Sequence, residues 1–134
     1  MSIDYAQEAI DLGNLFQQIA HQMGDYLQAN INDMKNNPAA LSKFTDDQTR
    51  ILSYANTFYS LGDKIAFAND EQYFNQVDAA TKAINANLQT IKDVDKWIGF
   101  AGAVISMAAS IASGNGSGIL SSAETILGTF NVKP

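Results

Sequence analysis

The sequence predicts an all-α fold, an elongated antiparallel bundle of four to five helices, and three observations carry that prediction. Apolar residues recur at steps of three and four along four separate segments, as they do on one face of a 3.6-residue helix. No stretch sustains the period-2 alternation of a half-buried strand, and Ala, Asn, Gln and Asp, all poor strand formers, occur throughout. Only two prolines are present, Pro38 and Pro134, and neither interrupts a periodic segment. At 134 residues the chain is one domain's worth, and an apolar fraction of 46% is enough to build a core.

The first helix is expected over residues 3–35. Leu12, Phe16, Ile19, Met23, Leu27, Ile31 and Met34 form its apolar stripe, and Gln18, Gln22, Asp25, Gln28, Asn32 and Asp33 cover the opposite side. At 1.5 Å per residue it would be about 50 Å long, which is why the bundle is expected to be elongated. The run Lys35-Asn36-Asn37-Pro38 marks a loop. A second helix is expected from Thr45, where a hydroxyl cap precedes Asp46, Asp47 and, three residues on, Gln48. Its stripe is Ile51, Tyr54, Ala55, Phe58, Leu61 and Ile65, ending near Ala68, since Asn69-Asp70-Glu71-Gln72 is a new start signal. The third helix carries Tyr73, Val77, Ala80, Ile84, Leu88, Ile91 and Val94.

The composition then changes. Residues 97–123 contain no charge, and residues 97–134 hold six of the nine glycines. Two helical runs are expected here, residues 97–112 and 119–130. The Gly114, Gly116 and Gly118 of the intervening GNGSG are read as the hinge of a hairpin. The whole of 1–134 forms one domain, with 97–130 as a Gly/Ala/Ser-rich hydrophobic hairpin.

Composition excludes several function classes. Fourteen acids against eight bases give a net charge of −6, which argues against nucleic acid as a partner, because phosphate neutralisation needs clustered Lys and Arg. The absence of cysteine excludes thiolate chemistry, disulfides and Cys-ligated zinc. The single histidine, His21, has Asp25 one turn on, but no nucleophile with a recognisable setting completes a catalytic group. The acidic pairs Asp46-Asp47 and Asp70-Glu71 sit at helix starts, where carboxylates cap; with Asp93 and Asp95 they lack the spacing of a calcium loop. No P-loop occurs. Neither a catalytic site nor a metal or cofactor is expected. The N-terminus has no basic and apolar regions of a secretory signal, so the chain is expected to be cytoplasmic or exported by a signal-independent route.

The uncharged segment is the informative feature. Residues 97–112 would span about 24 Å as a helix, against a hydrocarbon core of about 30 Å. Small residues recur at four-residue spacing, Gly99 with Ala103, Gly102 with Ser106, and Ser106 with Ser110, rows that let helix backbones approach closely. Lys92 and Lys96 flank Trp97 at the entrance, as at a membrane interface. The alternative is a central helix buried on all sides by its neighbours.

Long amphipathic helices followed by WIGFAGAVISMAASIASGNGSGILSSAETILGTF resemble the α-helical pore-forming toxins of the haemolysin E and tripartite haemolysin-enterotoxin type. The resemblance covers about a quarter of the chain and lies in composition and pattern. It implies a soluble bundle concealing a hydrophobic hairpin that inserts on assembly. This chain is much shorter than those proteins, and its hairpin is C-terminal. A weaker likeness, Trp97-Ile98-Gly99, is similar to the W-x-G of small helical-hairpin proteins exported by type VII secretion, where it sits in the central turn.

Two functions are therefore expected. One is a membrane-interacting bundle, a component of a pore-forming or translocating assembly. The other is a soluble protein–protein interaction module, such as an immunity protein, chaperone or adaptor, with the hairpin as core or oligomer interface. The contact residues in either case are Trp97, Ile98, Phe100, Val104, Ile105, Met107, Ile111, Ile119, Leu120, Ile126 and Phe130, with Trp97 and Phe100 as anchors. The expected partner is membrane lipid or protein, in a homo- or hetero-oligomer.

Overall fold

A computed structural model describes residues 4–65 and 71–131. Six helices follow in order: α1 (Tyr5–Ala29), α2 (Ile31–Lys35), α3 (Pro38–Leu61), α4 (Glu71–Asn87), α5 (Val94–Ser113) and α6 (Gly116–Thr129). Short 3-10 turns, Gly62–Lys64 and Leu88–Thr90, follow α3 and α4. The described residues contain no strand, so the fold is an all-α bundle of five long helices and one short one.

Caps set most of the boundaries. Asp4 opens α1 by accepting from the Gln7 backbone N–H at 3.1 Å. The periodic stripe continues to Met34, but α1 stops at Ala29, about 37 Å long instead of 50 Å. The cause is Asn30, whose side-chain amide donates to the Tyr26 carbonyl at 2.9 Å and competes with the backbone ladder.

The second expected helix starts seven residues earlier than Thr45. Asn37 caps α3, accepting from Ala40 N–H at 3.2 Å, and Pro38 occupies the first turn, where its missing N–H costs nothing. Thr45 is an interior residue whose hydroxyl donates to the Leu41 carbonyl. Asp47 is buried at 1% exposure and ion-paired with Lys43 at 2.5 Å, so it is not a capping carboxylate.

The expected end near Ala68 and the start signal at Asn69-Asp70 lie outside the described residues. The α4 stripe was expected to reach Val94. The helix ends at Asn87, whose amide donates to Ala83 O at 2.9 Å, and Ile91 is buried in the link that follows. Asp93 then caps α5 by accepting from Lys96 N–H at 2.7 Å.

The long helices form a ring in the order α1–α3–α5–α6–α4, with α1 and α4 meeting least closely. α1 and α3 are antiparallel: the Tyr59 hydroxyl donates to Asn14 Oδ1 at 2.5 Å, and Gln48 Nε2 donates to the Ala20 carbonyl at 2.9 Å. α5 and α6 are antiparallel through Ser106 and Ser122. α4 and α6 run parallel, with Tyr73 against Gly116 at their N-terminal ends.

The ring encloses one apolar core. Phe16 and Phe58 meet edge-to-face at 5.0 Å, and Phe44, Trp97 and Phe100 continue the core between α3 and α5. Each such side chain contributes about 1.5–3 kcal/mol by leaving water.

Candidate functional site

The candidate site is the α5–α6 hairpin. Residue 113 ends α5, and Gly114, at φ 77°, makes the left-handed cap that reverses the chain. The Asn115 N–H bonds back to Ser110 O at 2.9 Å, and the Asn115 side chain caps α6 by accepting from Gly118 N–H at 3.1 Å. The expected five-residue turn is thus only two residues long. Of the three hinge glycines, Gly114 alone has a positive φ; Gly116 and Gly118 belong to the first turn of α6. Their role is close approach, since a Cβ at Gly116 would fall 2.3 Å from the Tyr73 ring and one at Gly118 would fall 2.3 Å from Ser110 Oγ.

The expected contact residues divide by environment. Trp97, Phe100, Val104, Met107, Ile111, Ile119 and Ile126 are buried in the core, while Ile98, Ile105, Leu120 and Phe130 are half-buried. Trp97 lies in an aromatic group, its ring centroid 6.1 Å from Tyr26, 6.3 Å from Phe44 and 5.8 Å from Phe100; Phe130 adds a contact to Phe100 at 5.4 Å. Trp97 is 2% exposed, and its indole Nε1–H finds no acceptor among the described residues. It is a core residue in this state, not an exposed interfacial anchor. Burial raises the Tyr26 phenol pKa, with Asp93, Asp33 and Asp95 adding to the shift.

The expectation that α5 would be enclosed on all sides is not met. From Gly99 onward the exposed residues of α5 are Gly99, Gly102, Ser106, Ala112 and Ser113, none of them charged; Asp95, one turn before Gly99, is exposed as well. A Cβ at Gly99, Gly102 or Gly128 would meet no atom within 4 Å, so no contact within this chain requires those glycines. The α5–α6 seam itself is tight and polar: Ser122 Oγ donates to Ser106 Oγ at 3.0 Å, and Ser110 and Ser122 are buried. α5, at 20 residues, is by length and composition long and apolar enough to cross a membrane, although half of its most apolar stretch is buried in the bundle.

Elsewhere, His21 Nε2 lies 3.6 Å from Asp25 Oδ2 on the outer face of α1, both side chains largely exposed. No group of three or more His, Asp or Glu side chains is placed to hold a metal among the described residues. A groove of about 370 Å³, which the sequence did not suggest, separates α1 from α4 and is lined by Glu8, Asp11, Asn14, Gln18, Asp78 and Lys82 among others. Desolvation raises the Glu8 pKa, helped by Asp11, Asp78 and Asp4, while Lys82 is raised by its hydrogen bond to Asp78. The i,i+4 pair Asp78 and Lys82 was visible in the sequence, but its apposition to Glu8 needs the tertiary structure.

Comparison of the chain with families of known proteins, with curated sequences and with solved structures found no match.

Proposed function

We propose that this chain is a non-catalytic helical bundle that interacts with membranes through α5 and α6, as one component of a pore-forming or translocating assembly. The observation that carries the reading is the outward face of α5. A 20-residue helix spans about 30 Å, the thickness of a hydrocarbon core. Its only charges, Asp95 and Lys96, sit in the first turn, at headgroup level if the helix crosses. Its open glycines suit close packing against another helix in lipid. The non-catalytic part of the reading is supported by the solvated setting of His21 and Asp25 and by the capping role of Asp93.

A second reading is favoured by a specific observation, the burial of Trp97 and Phe100 beside Phe44. On that reading the protein is a soluble interaction module and the hairpin is permanent core. Vesicle flotation separates the two. The membrane reading expects the full chain to rise with vesicles of zwitterionic or anionic lipid and to release an entrapped dye. Protein that stays at the bottom of the gradient with both compositions overturns it.

A further inference from the structure

Among the described residues, three buried side-chain polar atoms have no hydrogen-bond partner: Asp47 Oδ2 on α3, Gln76 Oε1 on α4 and Trp97 Nε1 on α5. Their placement follows the seams of the ring. On α3, Gln48 and Tyr59 mark the side that meets α1. Asp47 lies about 100° round the helix from Gln48, turned away from α1, and α5 is the other long helix packed on α3. Trp97 meets α3 at Phe44, one turn before Asp47. On α4, Phe74, Asp78 and Lys82 face α1, whereas Gln76 follows Tyr73 by one turn on the side that meets Gly116 of α6. All three atoms therefore lie on the two seams that join the α5–α6 hairpin to the rest of the ring. The seams within each pair bond their polar groups: Gln48 to Ala20, Tyr59 to Asn14 and Ser122 to Ser106.

We infer that Asp47 works against the closed bundle, weakening the α3–α5 seam so that the hairpin parts from α3 and α4 as a unit. A buried polar atom without a partner destabilises the packed state, and that penalty vanishes when water reaches it. Asp47 Oδ1 does hold Lys43 Nζ, at 2.5 Å, but that lysine belongs to α3 itself and its side chain is 53% exposed. The pair thus ties α3 to α3 and adds no bond across the seam, while the drying of Oδ2 falls on the α3–α5 contact. Trp97 and Phe100 keep the seam closed at rest through their apolar burial; Asp47 sets how often it opens. The inference rests on the membrane reading only for what the freed hairpin then meets. The parting itself needs no lipid.

The chain has no cysteine, so an introduced thiol reports the opening of one seam. Ala108 is fully buried on the side of α5 opposite Ser106 and Ser110, which face α6; Ala20 is buried on α1 beside Gln48. In buffer without lipid, a thiol reagent should label the Ala108→Cys variant faster than the Ala20→Cys variant. Asp47→Leu, added to Ala108→Cys, should slow labelling about tenfold, since apolar replacement of a buried ion pair is often stabilising. Asp47→Ala, which adds no volume, should slow it in smaller measure and guards against overpacking by leucine. Lys43→Met should speed it, because the carboxylate then stays buried without its cation. If the Lys43–Asp47 pair simply supports α3, all three variants speed labelling, and that result overturns the proposal. Equal labelling of the two reporters overturns it as well. Vesicle flotation is a separate result: slower labelling with Asp47→Leu in a protein that never floats with vesicles removes the membrane reading and leaves the parting line in place.

Discussion

The two antiparallel pairs in this bundle, α1 with α3 and α5 with α6, are built on opposite plans. α1 and α3 pack with large side chains inside, Phe16 on Phe58, and close their outer edge with long-range polar contacts from Gln48 and Tyr59. α5 and α6 pack with small side chains, a serine–serine hydrogen bond and a close approach at Gly118, and they turn glycines outward. The first pair depends on burying large apolar area. The second depends on backbone proximity, which does not need water to drive it. In the membrane reading that difference decides which pair could hold together in lipid.

Substitutions can break the comparison or sharpen it. The largest effect is expected at Trp97, where the second pair meets α3. Trp97→Ala should cost about 3–5 kcal/mol by chemical denaturation, as large aromatic truncations in a core do. A loss below about 1 kcal/mol would mean that the hairpin is only loosely held in the bundle. Next is Gly118→Val, which forces a side chain against Ser110 and should cost about 1–3 kcal/mol. Its counterpart is Gly102→Ala, on the open face, which should stabilise by about 0.5–1 kcal/mol through helix propensity alone. Opposite signs for these two variants in thermal unfolding are the direct check on the small-residue seam.

Lys43→Met tests the first pair's partner surface on α3. It leaves the Asp47 carboxylate buried without its cation. A cost of about 1–2 kcal/mol is expected, discounted because Lys43 is half exposed.

The smallest effect concerns Glu8. Its folded pKa is raised, so protonation favours the fold; that contribution is present below the ordinary carboxylate pKa and lost as pH rises through the folded pKa. Glu8→Gln should therefore stabilise by a few tenths of a kcal/mol at neutral pH, an advantage that disappears in acid. Denaturant midpoints of both proteins at the two pH values measure it.

The contrast also shows what the sequence could reveal. Phe16, Ile19, Ile51, Phe58, Val77 and Ile84 were legible as core because charged and amide residues alternate with them at helical spacing. Helix type and the turn at Gly114 follow from local chemistry, whereas the cap at Asp93 was missed because the stripe of the third helix was carried through it to Val94. The failures were of two kinds. Asn30 and Asn87 both end a helix by donating to the carbonyl four residues back, whereas Asn37 starts one by accepting from Ala40 N–H, and the residue type alone does not say which role an asparagine takes. In residues 97–130 periodicity carried little information, because glycine, alanine and serine are tolerated on buried and exposed faces alike. Gly99 and Gly118 look equivalent in the sequence, yet one faces open space and the other touches Ser110.

The burial of Trp97 changes how the membrane reading is best tested. A side chain already 2% exposed emits as a buried indole in the soluble state, so a blue shift with lipid is not expected. Quenching by lipids brominated along their acyl chains is informative instead, because bromine acts only at contact range. With a single tryptophan in the chain, the signal reports on the entrance of α5 alone. If α5 and α6 enter the bilayer, vesicles of brominated lipid should quench Trp97 strongly and unbrominated vesicles should not. Equal emission with both lipids, in protein shown to be present with the vesicles, would contradict the account and leave the hairpin as permanent core.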